Sequence, residues 1–152
     1  MRCIVTGGAG FIGSNLSEEL AKQGHEVAII DDLSSGSQKN IEGFRKNIEF
    51  IKGSILDFWL LKKSFKNIDL VFHQAAISSV AASIENPMAT AEVNIQGTVN
   101  VLAAAKDSKV KKVVYASSSA VYGDSLALPK KATRLPMLKS PYALSKFVGE
   151  EY

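Results

Sequence analysis

The sequence predicts an α/β fold built on a doubly wound parallel sheet. Two observations lead to this prediction: short apolar runs alternate with longer amphipathic segments, and a glycine-rich turn directly follows the first apolar run. Continuously apolar strands are typical of a parallel sheet that is buried on both faces and joined by crossover helices. The order of the segments predicts a strand order of 3-2-1-4-5, with ligands at the carboxyl ends of the strands.

The apolar runs predict strands and the amphipathic segments predict helices. The predicted strands are 2–5, 27–30, 48–51, 70–72 and 112–115. The predicted helices are 12–23, 58–65, 88–106 and one that begins near Pro141. Asp57 is predicted to cap the second helix, and Gly24 to end the first. The stretch 119–140 contains two prolines and no periodicity, so we expect a loop over the carboxyl edge of the sheet.

Composition and charge place the chain among single-domain globular proteins. Its 152 residues are 46% hydrophobic and 22% charged, which excludes a disordered or fibrous protein. The net charge of +3 is too small to predict nucleic-acid binding. No apolar stretch approaches the roughly 20 residues of a membrane span. The single cysteine, Cys3, falls in an apolar run and reads as a core residue in a reducing compartment. We expect a cytoplasmic protein without membrane, nucleic-acid or metal partners.

The segment TGGAGFIGS carries the most specific motif, between the first predicted strand and the first predicted helix. Gly7, Gly10 and Gly13 allow a tight turn, the approach of a pyrophosphate and close helix packing. Asp31 ends the second predicted strand, where a carboxylate can accept from both ribose hydroxyls. A carboxylate repels a 2′-phosphate, so we expect NAD rather than NADP. The alternative is a purely structural turn.

Hydroxyl and amino side chains follow in YASSSAVYGD and SPYALSK. Tyr142 and Lys146 stand four residues apart, on one face of the last predicted helix. A tyrosine base must ionise near neutral pH, although free tyrosine titrates near 10, and a cation at about 4 Å supplies a comparable energy. The pair is sufficient for acid–base catalysis in principle. The alternative is an ordinary surface pair at a helix start.

The chain resembles the extended short-chain dehydrogenase/reductase family, and within it the nucleotide-sugar 4-epimerases, in TGGAGFIGSNL, DDLSSG, HQAA, NIQGT, SSSAVYGD and SPYALSK. The resemblance implies a Rossmann-type NAD-binding domain over 1–152. It also implies that Tyr142 is the acid/base, that Lys146 assists it and holds the nicotinamide ribose, and that Ser118 orients the reacting oxygen. Ser79, Ser118 and Tyr142 are the expected sugar contacts. The expected cofactor contacts are Gly7, Gly10, Phe11, Ile12, Gly13, Asp31, Asp32, Gly36, Ser54, Ile55, Gln74, Ala75, Ala76, Tyr142 and Lys146.

The resemblance implies a UDP-sugar 4-epimerase that oxidises and re-reduces C4 of UDP-glucose or UDP-N-acetylglucosamine. The nearest alternative is a 4,6-dehydratase of the same family, but Ser119 and Ala120 stand where those enzymes typically carry an Asp-Glu pair. Another alternative is a non-catalytic NAD-binding module, which would need no catalytic trio. The resemblance further implies a homodimer through the helices around 88–106 and 141–152.

Several positions depart from the family's pattern or are expected to be structural. Ser54 replaces the aspartate that commonly contacts adenine, and Ala132 replaces a frequent glutamate. His73 and Asn94 are expected to be satisfied interior residues. Family members are much longer, so we expect 1–152 to be an incomplete NAD-binding domain, without the last strands and the substrate domain. On this view the chain by itself binds dinucleotide weakly and turns over no UDP-sugar.

Overall fold

A computed structural model describes residues 1–124 and 129–152, and its centre is a five-stranded parallel sheet. The strand order is β3-β2-β1-β4-β5, which confirms the order predicted from the sequence. Each strand lies within two residues of its predicted bounds. The strands are β1 (Arg2–Thr6), β2 (Glu26–Asp31), β3 (Ile48–Lys52), β4 (Leu70–His73) and β5 (Lys112–Tyr115).

Helices cover both faces of this sheet. The α-helices are α1 (Phe11–Lys22), α2 (Phe58–Ser64), α3 (Val80–Glu85), α4 (Pro87–Ala91), α5 (Gly97–Asp107) and α6 (Pro141–Glu151). A π-helical turn, Glu92–Gln96, joins α4 to α5, and 3₁₀ segments occupy Gln38–Asn47 and Ser119–Tyr122. The Asp57 carboxylate accepts from the backbone N–H of Leu60 at 2.9 Å, so the predicted cap of α2 is confirmed.

The core consists of two apolar clusters, one on each face of the sheet. Alternate residues of β1 feed them: Ile4 packs with Leu61 and Val101 beneath α2 and α5. Cys3 packs on the other face with Leu20 of α1, as expected of a core cysteine. Because β1 lies at the centre and is buried on both faces, the turn that follows it rests on a rigid base.

Two predictions about helices and loops need correction, and one helix was not predicted. The predicted helix 88–106 begins at Pro87, where the Asn86 side chain caps it, and the π-helical turn interrupts its regular hydrogen bonding. Helix α3 was not predicted, because six residues are too few to show a period. The predicted loop 119–140 opens with the 3₁₀ segment Ser119–Tyr122. Residues 125–128 of that loop prediction lie outside the described residues.

Across residues 1–124 and 129–152, no helix is both long enough and apolar enough to cross a membrane. The same residues contain no group of three or more His, Cys, Asp or Glu side chains placed to hold a metal ion.

Candidate active site

A cavity of about 730 Å³ opens at the carboxyl ends of the central strands. It lies between the turn after β1, the end of β2 and the segment after β4. Most of the residues predicted to contact a cofactor or sugar line it. Those residues are Gly7, Gly10, Phe11, Ile12, Gly13, Asp31, Asp32, Ser54, Ile55, Gln74, Ala75, Ala76 and Ser79.

The glycines of the turn are needed because backbone atoms approach them closely. Gly7 has φ +68°, and a Cβ built on it would lie 2.6 Å from the backbone nitrogen of Ala75. A Cβ on Gly13 would overlap the carbonyl oxygen of Gly7. The turn therefore presses against both α1 and the segment after β4, and it leaves open space on the side where backbone N–H groups at the start of α1 can bind an anion.

Asp31, the last residue of β2, lines the cavity. Its side chain is nearly buried, with 8% of the residue exposed. One carboxylate oxygen accepts from the N–H of Ala9 at 2.9 Å, and the other from the N–H of Leu33 at 2.8 Å. A carboxylate offers about four acceptor positions, so these two bonds fix its orientation and leave capacity for two further donors. Gly36 is not in the lining but packs on Asp31, because a Cβ there would lie 3.0 Å from Oδ1.

Lys146 is buried on α6, with only 4% of the residue exposed. Its ammonium donates to the carbonyl oxygen of Ala116, just after β5, at 2.9 Å. Burial lowers the pKa of Lys146 to about 8, because water no longer solvates the charged form. The side chain therefore remains mostly a cation at neutral pH, and it is held at the carboxyl edge of the sheet.

Tyr142 lies one helical turn before Lys146 and is half-buried. Its backbone N–H donates to the hydroxyl oxygen of Ser83 on α3 at 3.1 Å. The Ser145 hydroxyl donates to the Tyr142 carbonyl oxygen at 2.8 Å. The first bond attaches the start of α6 to α3, and the second lies within α6.

Asn94, in the π-helical turn, connects α6 to the lining of the cavity. Its Oδ1 accepts from the N–H of Ile77 at 2.8 Å, and its Nδ2 donates to the Ile77 carbonyl at 3.0 Å and to the Ser145 hydroxyl at 3.1 Å. Ile77 lines the cavity. Asn94 therefore has the structural role expected of it. It joins the segment after β4, which lines the cavity, to α6, which carries Tyr142.

Ser118 follows β5 at the start of the 3₁₀ segment. Its hydroxyl oxygen accepts from the N–H of Ala120 at 3.2 Å. That 3₁₀ segment packs against α6, so Ser118 and Tyr142 stand on two adjoining elements. Ser118, Tyr142 and Lys146 lie outside the lining of the 730 Å³ cavity.

His73 is an interior residue with both ring nitrogens hydrogen-bonded, as expected from the sequence. Nδ1 lies 2.7 Å from the Thr6 hydroxyl, and Nε2 lies 3.0 Å from the Thr98 hydroxyl. Burial, and secondarily the positive charge of Lys146, lower the pKa of His73 to about 3. The imidazole is therefore neutral at any physiological pH.

Several residues that line the cavity were not predicted from the sequence. Ser34 and Ser35 belong to the quoted segment DDLSSG, and Ile77 and Ser78 continue the segment HQAA, so extending those motifs would have found them. Gly53, directly before the predicted contact Ser54, also lines the cavity. Val93, in the π-helical turn, also lines the cavity, and no motif in the surrounding sequence predicts this.

The family of the chain follows from comparison with known proteins. The model of the NAD dependent epimerase/dehydratase family matches residues 3–152. The chain belongs to this family. It is 42% identical, over 98% of its length, to a putative UDP-glucose 4-epimerase of Methanocaldococcus jannaschii. It is 48% identical, over 80% of its length, to a UDP-N-acetyl-alpha-D-glucosaminuronate decarboxylase of Bacillus cytotoxicus.

A solved structure of high similarity is the UDP-N-acetylglucosamine 4-epimerase of Methanobrevibacter ruminantium M1, in complex with UDP-N-acetylmuramic acid. It superposes with a TM-score of 0.94 at 39% identity and covers 99% of this chain. The chain corresponds to 48% of that structure and to 48% and 38% of the two relatives. It therefore spans about half of their length or less.

Proposed function

We propose that this chain is the NAD-binding portion of a UDP-sugar 4-epimerase. The observation that carries the proposal is the combination found at one edge of the sheet: a dinucleotide-sized cavity that ends at Asp31, and the buried Lys146 one turn from Tyr142. A binding module alone would account for the cavity. It would give no reason to bury a lysine on the same helix face as a tyrosine.

The residues present fit NAD. The open side of the Gly7–Gly13 turn accommodates a pyrophosphate, because no side chain projects from either glycine and helix α1 begins there. The remaining acceptor capacity of the Asp31 carboxylate suits two ribose hydroxyls and opposes a 2′-phosphate. When bound, NAD supplies the reversible hydride acceptor for oxidation at C4 of the sugar.

The catalytic roles proposed for this chain concern a proton and its position. Tyr142 takes the proton of the C4 hydroxyl and later returns it. Lys146 is a cation at neutral pH and stabilises the ionised tyrosine from one turn away. The hydroxyl of Ser118 donates a hydrogen bond to the reacting oxygen. Its bond from Ala120 uses only an oxygen lone pair, so the hydrogen remains available.

UDP-glucose and UDP-N-acetylglucosamine are the proposed substrates, since the chain is similar to epimerases named for both sugars. A decarboxylase of a UDP-uronic acid and the 4,6-dehydratases of the family remain the competing activities. Ser119 and Ala120, in place of an acid–base pair, argue against dehydration.

We further propose a homodimer through the faces of α4, α5 and α6, in a cytoplasmic protein. Met88 on α4 and Leu144 on α6 are exposed apolar side chains, at 80% and 47%. An apolar hollow of about 440 Å³ between α4, the π-helical turn and α6 supports the proposal. Analytical ultracentrifugation tests it: Leu144→Glu should yield monomer, whereas Trp59→Glu, at an exposed apolar residue on α2, should not.

The test of function uses the full-length protein that the gene encodes. It is incubated with NAD⁺ and UDP-galactose or UDP-N-acetylgalactosamine, and the C4 epimer is measured. Tyr142→Phe should abolish epimerisation while NAD remains bound, whereas Tyr152→Phe, which makes the same change at an exposed tyrosine, should have no effect. Loss of NAD binding in Tyr142→Phe would make this tyrosine structural. A decarboxylated or dehydrated product would assign the chain to a competing activity.

A further inference from the structure

Tyr115, the last residue of β5, contacts Lys146 in two ways. The Lys146 ammonium lies 5.1 Å from the centroid of the Tyr115 ring, over its face. The Tyr115 hydroxyl donates to the backbone carbonyl of Lys146 at 3.3 Å. We propose that Tyr115 is a positioning residue for Lys146, whose ring face holds the ammonium and whose hydroxyl fixes the helix that carries it.

The ring of Tyr115 is held firmly enough to do this. On the sheet side it packs against the imidazole of His73, with ring centroids 5.6 Å apart and a tilt of 34°. On the helix side it packs against Gly149, where an added Cβ would lie 2.5 Å from its Cζ and Oη. Any side chain at Gly149 would displace the ring, so the absence of one lets α6 approach β5 this closely.

The contact gives the buried Lys146 ammonium an electrostatic partner. An ammonium has three N–H donors, and the hydrogen bond found for it goes to the Ala116 carbonyl. The face of an aromatic ring carries partial negative charge and attracts a cation, most strongly where water is excluded. Burial raises the pKa of Tyr115 to about 12, so its ring stays neutral and never competes with Tyr142 as an anion.

Other titratable groups lie near this contact on β4, on α6 itself and on the helical segments that pack against α6. His73 on β4 stays neutral, as shown above. Tyr142 and Glu150 lie on α6 itself, and the Glu150 carboxylate accepts from the hydroxyl of Ser117. Glu85 and Glu92, on helical segments that pack against α6, are exposed. The Tyr115 ring is therefore the group whose removal should most directly change the energy of the Lys146 cation.

The hydroxyl and the ring face of Tyr115 can be separated by substitution. Tyr115→Phe keeps the ring and removes the hydroxyl together with its bond to the Lys146 carbonyl, so the pKa of Lys146 should remain near 8. Tyr115→Leu removes the ring, so the charged lysine loses its partner and its pKa should fall by about one unit. The measurement is a pH titration of ¹³Cε-labelled lysine by NMR, with Lys146→Met to assign the signal.

An unchanged pKa in Tyr115→Leu, or an equal fall in Tyr115→Phe, would overturn the proposal. Should Tyr115→Leu fail to fold, Gly149→Ala provides a second route, because its methyl group pushes the ring out of place while Tyr115 remains. Gly149→Ala should then lower the pKa of Lys146, and a pKa that stays near 8 with a displaced Tyr115 ring signal would refute the inference.

The inference rests on the proposed function only for its catalytic consequence. In the active protein, Tyr115→Leu should shift the pH profile of turnover, whereas Tyr115→Phe should not. If Tyr142→Phe leaves turnover unchanged, the proposed function fails, and the lysine titration still decides the role of Tyr115. If the lysine titration shows no effect of Tyr115, the inference fails and the proposed function is untouched.

Discussion

The two parts of the candidate site are held by different kinds of contact. The cavity depends on backbone geometry: Gly7 allows close approach of Ala75 after β4, Gly13 allows close approach of Gly7, and Asp31 is fixed by backbone N–H groups. The Tyr142 end depends on side chains from segments far apart in the chain, such as Asn94 and Ser83. The first part therefore depends on glycines and backbone contacts and the second on side-chain hydrogen bonds, so substitutions should affect binding and chemistry separately.

The largest effect should come from crowding the turn. Gly13→Ala places a methyl group on the Gly7 carbonyl, and neither backbone segment can move without disturbing β1. We expect a loss of about 3 kcal/mol in the free energy of unfolding, and loss of dinucleotide binding. Gly43→Ala is the matched control, because nothing lies within 4 Å of its Cβ position. Equal urea midpoints for the two variants would contradict the close packing.

The second-largest loss of stability is expected at Asn94, which links the cavity lining to α6. Asn94→Ala leaves the N–H and C=O of Ile77 and the hydroxyl of Ser145 without their partner, which costs about 2 kcal/mol. Amide hydrogen exchange should show faster exchange at Ile77 and in α6, while β1 stays protected. The exposed Gln96, in the same π-helical turn, is the control, and Gln96→Ala should change neither. Faster exchange throughout the sheet would mean that Asn94 stabilises the whole fold and not only the contact between Ile77 and α6.

Lys146 should make stability depend on pH. Its pKa is about 8 in the folded protein, against 10.5 for an unperturbed lysine, so between these values the unfolded state binds more protons. Stability should therefore rise with pH, by about 2 kcal/mol from pH 7.5 to 9.5. Chemical denaturation across this range should show the rise in the parent and in Lys139→Met, whose lysine is exposed, but not in Lys146→Met. A rise that survives in Lys146→Met would place its origin elsewhere.

The smallest effect on stability is expected at Ser118. Its hydroxyl accepts one hydrogen bond, from Ala120, so Ser118→Ala should cost about 1 kcal/mol in the free energy of unfolding. In the active protein the same change should lower turnover by about 10²-fold, as for other oriented donors. A variant that unfolds as readily as Asn94→Ala would show that Ser118 supports the fold rather than the reaction.

The sequence predicted the parts that local rules determine. The strand order follows from the apolar runs, and Gly7, Gly10, Gly13 and Asp31 follow from the glycine motif and the end of the second strand. The other predicted cavity residues and the interior position of His73 come from the resemblance to the family. The π-helical turn was not predicted: the pattern of 88–106 indicates one helix, and the bonds of Asn94 to Ile77 and Ser145 join segments remote in the chain. The contact of Tyr115 with Lys146 was not predicted either, because nothing in KVVY indicates which helix lies over that strand.

The central claim is that Asp31 makes this cavity a site for NAD. Calorimetric titration of the 152-residue chain with NAD⁺ and with NADP⁺ tests it most directly, even if both bind weakly. NAD⁺ should bind more tightly, and Asp31→Ser should abolish the difference, because it removes the carboxylate that opposes a 2′-phosphate. Equal or tighter binding of NADP⁺ by the unaltered chain would contradict the claim.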